Sequence, residues 1–329
     1  MKVALKLIHE DEPDSKWSAV FDRTWPFYKK WYLKEGATRR AGYLTCSEKL
    51  KEFMPELFPI YEDLCDLAGG GDLVSRYLSL YKPPPFMSGC TQVAVNNEEP
   101  VLIRNYDYDP KLFEGVLLST NWLKPVIGMS DCNWGLLDGM NGDGLCLSLT
   151  FGGRKSIGDG FGIPLVMRYV LETCSNVEEA IEAFGRVPIH MVYNITLQDS
   201  SGKHRTLFLG PDRKMGVSEQ AVCTNHQEKI DWPEYAEVTS TLEREARLER
   251  HLKKGFSTKK LIKRFMREPL YELHPERHYA TLYTAAYFPE KGLLRILWPG
   301  REIGVSFEEF NEKQLVVDLG KHMKGELTA

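Results

Sequence analysis

The chain has no apolar run long enough to cross a bilayer. Its longest, such as Gly292–Trp298, fall well short of the roughly 20 residues a spanning helix needs. Met1–His9 has no apolar core ending in small residues, so no export signal is read and a cytoplasmic protein without a membrane partner is expected. An excess of one charge is missing too: Lys plus Arg (42) nearly balances Asp plus Glu (46), for a formal charge of -4. That balance argues against nucleic acid as the main partner. Paired cysteines are also lacking. The seven present (46, 65, 90, 132, 146, 174 and 223) are odd in number and widely spaced, without a C-x-x-C. They indicate neither a disulfide framework nor a zinc ribbon, and most are expected to be reduced, buried, small hydrophobes. The glycine-rich stretch Gly152–Gly162 lacks the order of a phosphate cradle, so a mobile loop over a pocket is expected instead. His274 and His278 are spaced i,i+4 but no convincing third ligand lies near them, so no metal is expected, and no organic cofactor.

What is present is a globular composition, 43% hydrophobic over 329 residues, enough for one large domain or two. The first 80 or so residues read as helical and amphipathic. From Ser47, a plausible N-cap, to Leu67, a 3.6-residue period places Leu50, Phe53, Met54, Leu57, Ile60, Tyr61 and Leu64 on one face. Gly69–Gly71 stops that segment, a short helix follows over Asp72–Leu80, and Pro83-Pro84-Pro85 forces an extended connector. From Cys90 the chain turns strand-like: Thr91–Asn96, Val101–Asn105, Val116–Asn121 and Leu145–Phe151. Helices are expected at Pro164–Cys174 and Val177–Phe184, then strands at His190–Gln198 and Arg205–Gly210. A helix-rich stretch over about 240–267 precedes strands near Tyr279–Phe288, Leu293–Trp298 and Leu315–Leu319. Runs of strands separated by helical pairs predict layered antiparallel sheets with helices outside, an α+β architecture.

One cysteine differs from the other six. Cys90 follows Pro-Pro-Pro-Phe-Met-Ser-Gly and opens the β-rich part of the chain. Breaking the Gly89–Cys90 bond would give Cys90 a free α-amine of pKa about 7.7–8.0 beside its own thiol, ordinarily about 8.5. Nucleophile and general base would then share one residue. Glycine at 89 suits the strained backbone of an N-to-S acyl shift.

Downstream, Cys90-Thr91-Gln92, Arg104-Asn105-Tyr106-Asp107, Gly139-Met140-Asn141-Gly142-Asp143-Gly144-Leu145, Thr224-Asn225-His226 and Ser240-Thr241-Leu242-Glu243-Arg244 occur in order. Together they resemble the isopenicillin-N acyltransferase family of cysteine N-terminal-nucleophile hydrolases, related to choloylglycine hydrolases and penicillin V acylases. The similarity runs from about Trp25 to the C-terminal strands. It implies a four-layer αββα sandwich over residues 90–329, preceded by a helical pro-segment, 1–89, that remains as a partner after self-cleavage before Cys90.

The resemblance also implies roles. Asp107 would hold the new ammonium, and Arg104, which leans towards the hydrolases, would line the site. Strict strand alternation keeps these two off one face, so a bulge or turn is expected if both act. Asn225 would donate to the oxyanion, and Thr150 stands where relatives carry the second donor. Arg244 matches an arginine that reaches the site, while His226 reads as neighbouring support. The expected substrate is a linear acyl-amide, an acylated small amine or amino acid, attacked through a thioester. Two rivals remain at this level: a non-catalytic binding protein that is never cut, and an uncut cysteine peptidase using His226 as base.

Overall fold

The computed structural model describes Met1–Gly320. Residues 321–329, the end of the expected catalytic segment, lie outside the described residues. The first element departs from the helical expectation. Lys2–Glu10 is a strand, β1, because Val3, Leu5 and Leu7 alternate inward with a period of two. Four helices follow: α1 (Ser15–Tyr32), α2 (Tyr43–Phe53), α3 (Phe58–Leu67) and α4 (Asp72–Leu78). The stretch expected as one helix from Ser47 is two, since Pro55 ends α2 one residue earlier, at its C-cap Met54. Its N-cap is Gly42, and Ser47 is buried inside α2. The expected apolar face is otherwise intact, with Leu50, Met54, Leu57, Ile60, Tyr61 and Leu64 all buried.

From Gly89 the chain builds two sheets. Strands β2 (Gly89–Asn96) and β3 (Pro100–Tyr108) form the hairpin anticipated at Cys90, followed by β4 (Val116–Thr120), β5 (Val126–Asp131), β6 (Gly135–Asn141) and β7 (Cys146–Phe151). Helices α5 (Ile163–Thr173) and α6 (Val177–Arg186) lead to β8 (Tyr193–Gln198), β9 (His204–Leu209), β10 (Gly216–Ser218) and β11 (Val222–Cys223). Helices α7 (Pro233–Val238), α8 (Thr241–Lys253) and α9 (Thr258–Phe265) precede β12 (Leu273–His274), β13 (Tyr279–Phe288), β14 (Leu293–Trp298), β15 (Arg301–Ser306) and β16 (Lys313–Asp318). One sheet runs β10-β9-β8-β7-β6-β5-β4-β1-β16, the other β11-β2-β3-β13-β14-β15 with β12 beside β13. Strand β1 pairs in parallel with β4. The other pairings between these strands are antiparallel, as expected.

The sheets meet face to face, β2 and β3 against β7 and β8, with α5 and α6 on the outer face of one and α8 and α9 on the other. This is the four-layer αββα order. Among the described residues no helix is long and apolar enough to cross a membrane.

The N-terminal segment is bound into this body at several places. Strand β1 lies between β4 and β16, and the helices are bonded to the loop after β5. Trp17 Nε1 donates to the Asn133 carbonyl (3.0 Å), Tyr77 Oη to Asn133 Oδ1 (2.6 Å) and Trp134 Nε1 to the Leu78 carbonyl (2.9 Å). The glycine-rich loop is no free lid. Gly162 N bonds the Leu80 carbonyl at 2.7 Å, Lys82 N the Gly160 carbonyl at 2.9 Å, and Gly158 N the His190 carbonyl at 2.9 Å. A Cβ at Gly160 would lie 2.4 Å from the Ile189 carbonyl carbon, so glycine lets the loop thread between the two.

Candidate active site

Cys90 is the second residue of β2, fully buried, and pairs with Tyr106 of β3. Alternation then sorts its surroundings onto two faces. On the inner face, Gln92 reaches Thr196 and Ser148 of the opposite sheet, and Arg104 lies across from Gln92. Arg104 Nη2 donates to Cys90 Sγ at 3.3 Å. Its Nη1 is paired with Asp138 of β6 and bonds Tyr283 Oη at 3.0 Å. Asp138 also accepts from the Tyr283 hydroxyl (2.5 Å) and from Tyr287. A buried arginine needs such a counter-charge, since leaving either partner alone in the core costs several kcal/mol.

On the outer face, Asp107 accepts from Thr281 Oγ1 at 2.6 Å and faces Arg244 Nη1 of α8 at 3.2 Å. Arg244 is fully buried and ties the face together: Nη1 donates to the Cys90 carbonyl (2.8 Å) and to Thr91 Oγ1, and Nη2 to Asn225 Oδ1 (2.7 Å). Arg104 and Asp107 therefore both reach the surroundings of Cys90 without sharing a face. The bulge or turn expected between them in β3 is not needed, and the register shift falls on the partner strand between Thr281 and Tyr283.

Asn225 follows β11, the neighbour of β2. Its Oδ1 accepts from Cys90 N at 2.9 Å, while Nδ2 points to the carbonyls of Ser88 (3.3 Å) and Phe151 (3.2 Å). The sequence motif thus marks a residue that touches both sides of the Gly89–Cys90 junction. Thr150 lies one layer away: its hydroxyl donates to the Thr224 carbonyl at 2.7 Å and accepts from Asn194 Nδ2 at 3.1 Å. Asn194, which carried no sequence signal, also donates to the Thr224 and His226 carbonyls and holds the turn that presents Asn225. His226 is turned towards α8, with Nδ1 3.1 Å from Thr241 Oγ1 and Nε2 3.3 Å from Glu245. The Asn141 side chain of the Gly139–Leu145 motif is structural, donating to the Leu171 and Cys174 carbonyls at the end of α5.

Burial pushes the Cys90 thiol above its ordinary value against the pull of Arg104. Burial likewise raises the Asp107 carboxyl to about 6, although Arg244 and the Thr281 hydroxyl pull it down. A Cβ at Gly89 would lie 1.8 Å from Tyr279 Oη and 3.2 Å from Asp107 Cβ, so the residue before Cys90 must lack a side chain in this arrangement. Next to the inner face a cavity of about 340 Å³ opens between α1 and the end of β3, walled by Phe27, Trp31, Phe86, Tyr106 and Tyr108. Tyr106 links it to the thiol, its ring lying 4.9 Å from the Arg104 guanidinium carbon. All seven cysteines are unpaired and buried, and among the described residues no group of His, Cys, Asp and Glu could hold a metal ion.

No curated protein matches the chain. Among solved structures, a mutant of the conjugated bile acid hydrolase from Clostridium perfringens is 15% identical over 70% of this chain and 96% of its own, with a TM-score of 0.43. Penicillin V acylase from Agrobacterium tumefaciens is 15% identical, over 70% and 92%, at 0.45. The Caenorhabditis elegans ortholog of N-acylethanolamine-hydrolyzing acid amidase is 15% identical, over 70% and 100%, at 0.46. The model of the acyl-coenzyme A:6-aminopenicillanic acid acyl-transferase family matches residues 94–302, a span that includes Arg104, Asp107, Thr150, Asn225 and Arg244. With well over half of its length matched, the chain belongs to the acyl-coenzyme A:6-aminopenicillanic acid acyl-transferase family.

Proposed function

We propose that the chain is a self-processing amidohydrolase or acyltransferase that attacks linear acyl-amides with Cys90. The observation that carries this reading is the double enclosure of one cysteine: Arg104 at its sulfur, and Asn225, Arg244 and Asp107 around its backbone nitrogen and oxygen. A cysteine that merely fills space in a core needs none of these groups.

In processing, Cys90 Sγ adds to the Gly89 carbonyl carbon and the Gly89–Cys90 C–N bond breaks, leaving a thioester and a free α-amine on Cys90. Water then hydrolyses the thioester, releasing the Gly89 carboxylate and restoring the thiol. In turnover, the α-amine takes the thiol proton and the thiolate adds to the substrate carbonyl. As that adduct collapses, the substrate C–N bond breaks and the leaving amine takes the proton back from the ammonium. Water or a second amine resolves the new thioester, which is the difference between hydrolysis and transfer. Arg104 favours the thiolate, Asp107 supplies the negative charge that holds the ammonium, Arg244 fixes the Cys90 carbonyl and the Asn225 side chain, and Asn225 donates to the oxyanion through Nδ2. The aromatic cavity beside Tyr106 takes the acyl part, so an apolar, aryl-bearing acyl group on a small amine or amino acid fits best. The N-terminal segment stays attached after cleavage, since leaving would strip β1 from its sheet.

Intact-mass analysis of the purified protein is the test. It should find a fragment of about 240 residues beginning at Cys90, and Cys90→Ala should give one uncut, inactive chain. Full amidase activity from a chain in which Cys90 is internal would overturn the proposal.

A further inference from the structure

The uncut chain has a carbonyl group held by two neutral donors beside the thiol. Tyr235 Oη of α7 donates to the Ser88 carbonyl at 2.7 Å, and Asn225 Nδ2 approaches the same oxygen at 3.3 Å. Ser88 belongs to the thiol's immediate surroundings, its Oγ lying 3.7 Å from Cys90 Sγ. In an extended chain, residues two apart direct their carbonyls to the same strand edge. Here that edge is the one facing Asn225, where Cys90 N also bonds. We infer that Tyr235 and Asn225 together form the oxyanion site, and that the Ser88 carbonyl occupies, before cleavage, the place of the substrate's carbonyl oxygen. The inference rests on the reading of Cys90 as nucleophile.

Other side chains near the junction suit the role less. The Thr150 hydroxyl proton is committed to the Thr224 carbonyl. The Tyr279 hydroxyl is buried without a partner, but it sits over Gly89 on the Asp107 face, away from the sulfur. Tyr235 is held in place by aromatic neighbours, stacked on Trp232 with ring centroids 5.1 Å apart and edge-on to Phe151 at 5.2 Å. The Phe151 carbonyl also receives Asn225 Nδ2, so one strand end aligns both donors. Burial raises the phenol well above its ordinary value, which keeps Tyr235 a proton donor at working pH.

When the thiolate adds to the substrate carbonyl carbon, the π electrons pass to the oxygen, which accepts hydrogen bonds from Tyr235 and Asn225. Both donors keep their protons. Collapse returns the electron pair to carbon, and the C–N bond breaks as the amine takes its proton from the Cys90 ammonium. Because the same donors hold Ser88, the cleaved Ser88–Gly89 end must withdraw before substrate binds.

The test is Tyr235→Phe in the full chain, which removes one oxygen atom and keeps the ring packing. After cleavage is verified by intact mass, steady-state kinetics are measured on an arylacyl p-nitroanilide that the wild type hydrolyses. Removing one such donor should lower kcat by about 100-fold, with KM within about twofold. Wild-type kcat, an effect confined to KM, or a Tyr235→Phe chain that stays uncut would each overturn the assignment, the last because the tyrosine would then serve processing. Cys90→Ala is run alongside. If it also hydrolyses the anilide, the reading of Cys90 fails, whatever Tyr235→Phe does.

Discussion

The two faces of the β2–β3 hairpin at Cys90 are built differently. The inner face is a closed charge circuit, with Arg104 neutralised by Asp138 and the tyrosines Tyr283 and Tyr287 supplying hydroxyls to that carboxylate. The outer face is a set of joints: Arg244 bridges Asp107, Asn225 and the Cys90 carbonyl. The inner face governs the sulfur, and the outer face governs the backbone nitrogen that cleavage would turn into an amine. Strand alternation thus gives one residue two independently built environments, which explains how an arginine and an aspartate three residues apart can both serve it.

The largest effect that would separate the faces is expected from Asn225→Ala. If Asn225 carries oxyanion stabilisation, kcat falls roughly 100–1,000-fold on matured enzyme while KM changes little. Near-wild-type kcat on a substrate that Cys90→Ala cannot turn over would leave the role to Tyr235 or to backbone groups such as that of Thr150.

Next in size is Gly89→Ala. The added methyl meets the Tyr279 hydroxyl on the outer face, and overpacking of this kind costs about 1–3 kcal/mol. Self-cleavage, followed by gel densitometry, should slow by about 10-fold or more. In a Gly89→Ala/Tyr279→Phe double variant, where the clashing oxygen is gone, much of the rate should return. No recovery would place the remaining block on the Tyr279 ring and Asp107 Cβ, 3.0 and 3.2 Å from the added methyl, and not on the hydroxyl oxygen.

A smaller, graded effect is expected from pH. The Asp107 carboxyl is raised to about 6 mainly by burial, with Arg244, Thr281 and Arg104 lowering it and Glu272 adding to the rise. It is therefore ionised above about pH 6 and protonated below, so a step that needs its charge weakens as pH falls through that value. Self-cleavage rates should show an acid limb near pH 6. Once cleavage places an ammonium nearby, the carboxylate is favoured and the limb for turnover should move lower. Identical limbs for both steps would mean that Asp107 does not face the new amine. Stability runs the other way: a carboxyl whose folded value is raised stabilises the fold most below its unfolded value of about 3.8, and that contribution is lost as pH rises through about 6.

Much of this arrangement could be read from the sequence where local signals were strong. The bounds of β13 and β14 follow from short, largely apolar runs, YATLYTAAYF and LLRILW, bounded by turn residues, and the hairpin at Cys90 from its alternation and turn. Strand β1 was missed because a single nine-residue strand, with its partners more than 100 residues away, sits before a long helical stretch. Arg104, Asp107, Asn225 and Arg244 carry motif signals, and the structure places all four around Cys90. Their supports do not carry such signals. Asp138, Tyr283 and Asn194 come from distant strands and gain meaning only when the two sheets face each other, and Tyr235 lies in a short helix whose sequence resembles any surface turn.

The smallest effect concerns the cavity, which the N-terminal segment and the rest of the chain wall jointly. Trp31, half-buried on α1, faces Phe86 with ring centroids 6.3 Å apart. It belongs to the inner side of the comparison, reached from the sulfur through Arg104 and Tyr106, and touches neither Asp107 nor Asn225. Trp31→Ala should therefore leave self-cleavage unchanged. An aromatic contact of this kind contributes about 0.5–1.5 kcal/mol beyond buried area, so KM for an arylacyl amide should rise roughly 3–10-fold. The kcat should hold, because a wall that grips substrate and transition state alike shifts binding and not the chemical step. The measurement is a KM comparison between arylacyl and acetyl amides on matured protein. An equal KM rise for both, or a fall in kcat, would place the acyl group elsewhere and leave the N-terminal segment a purely structural partner.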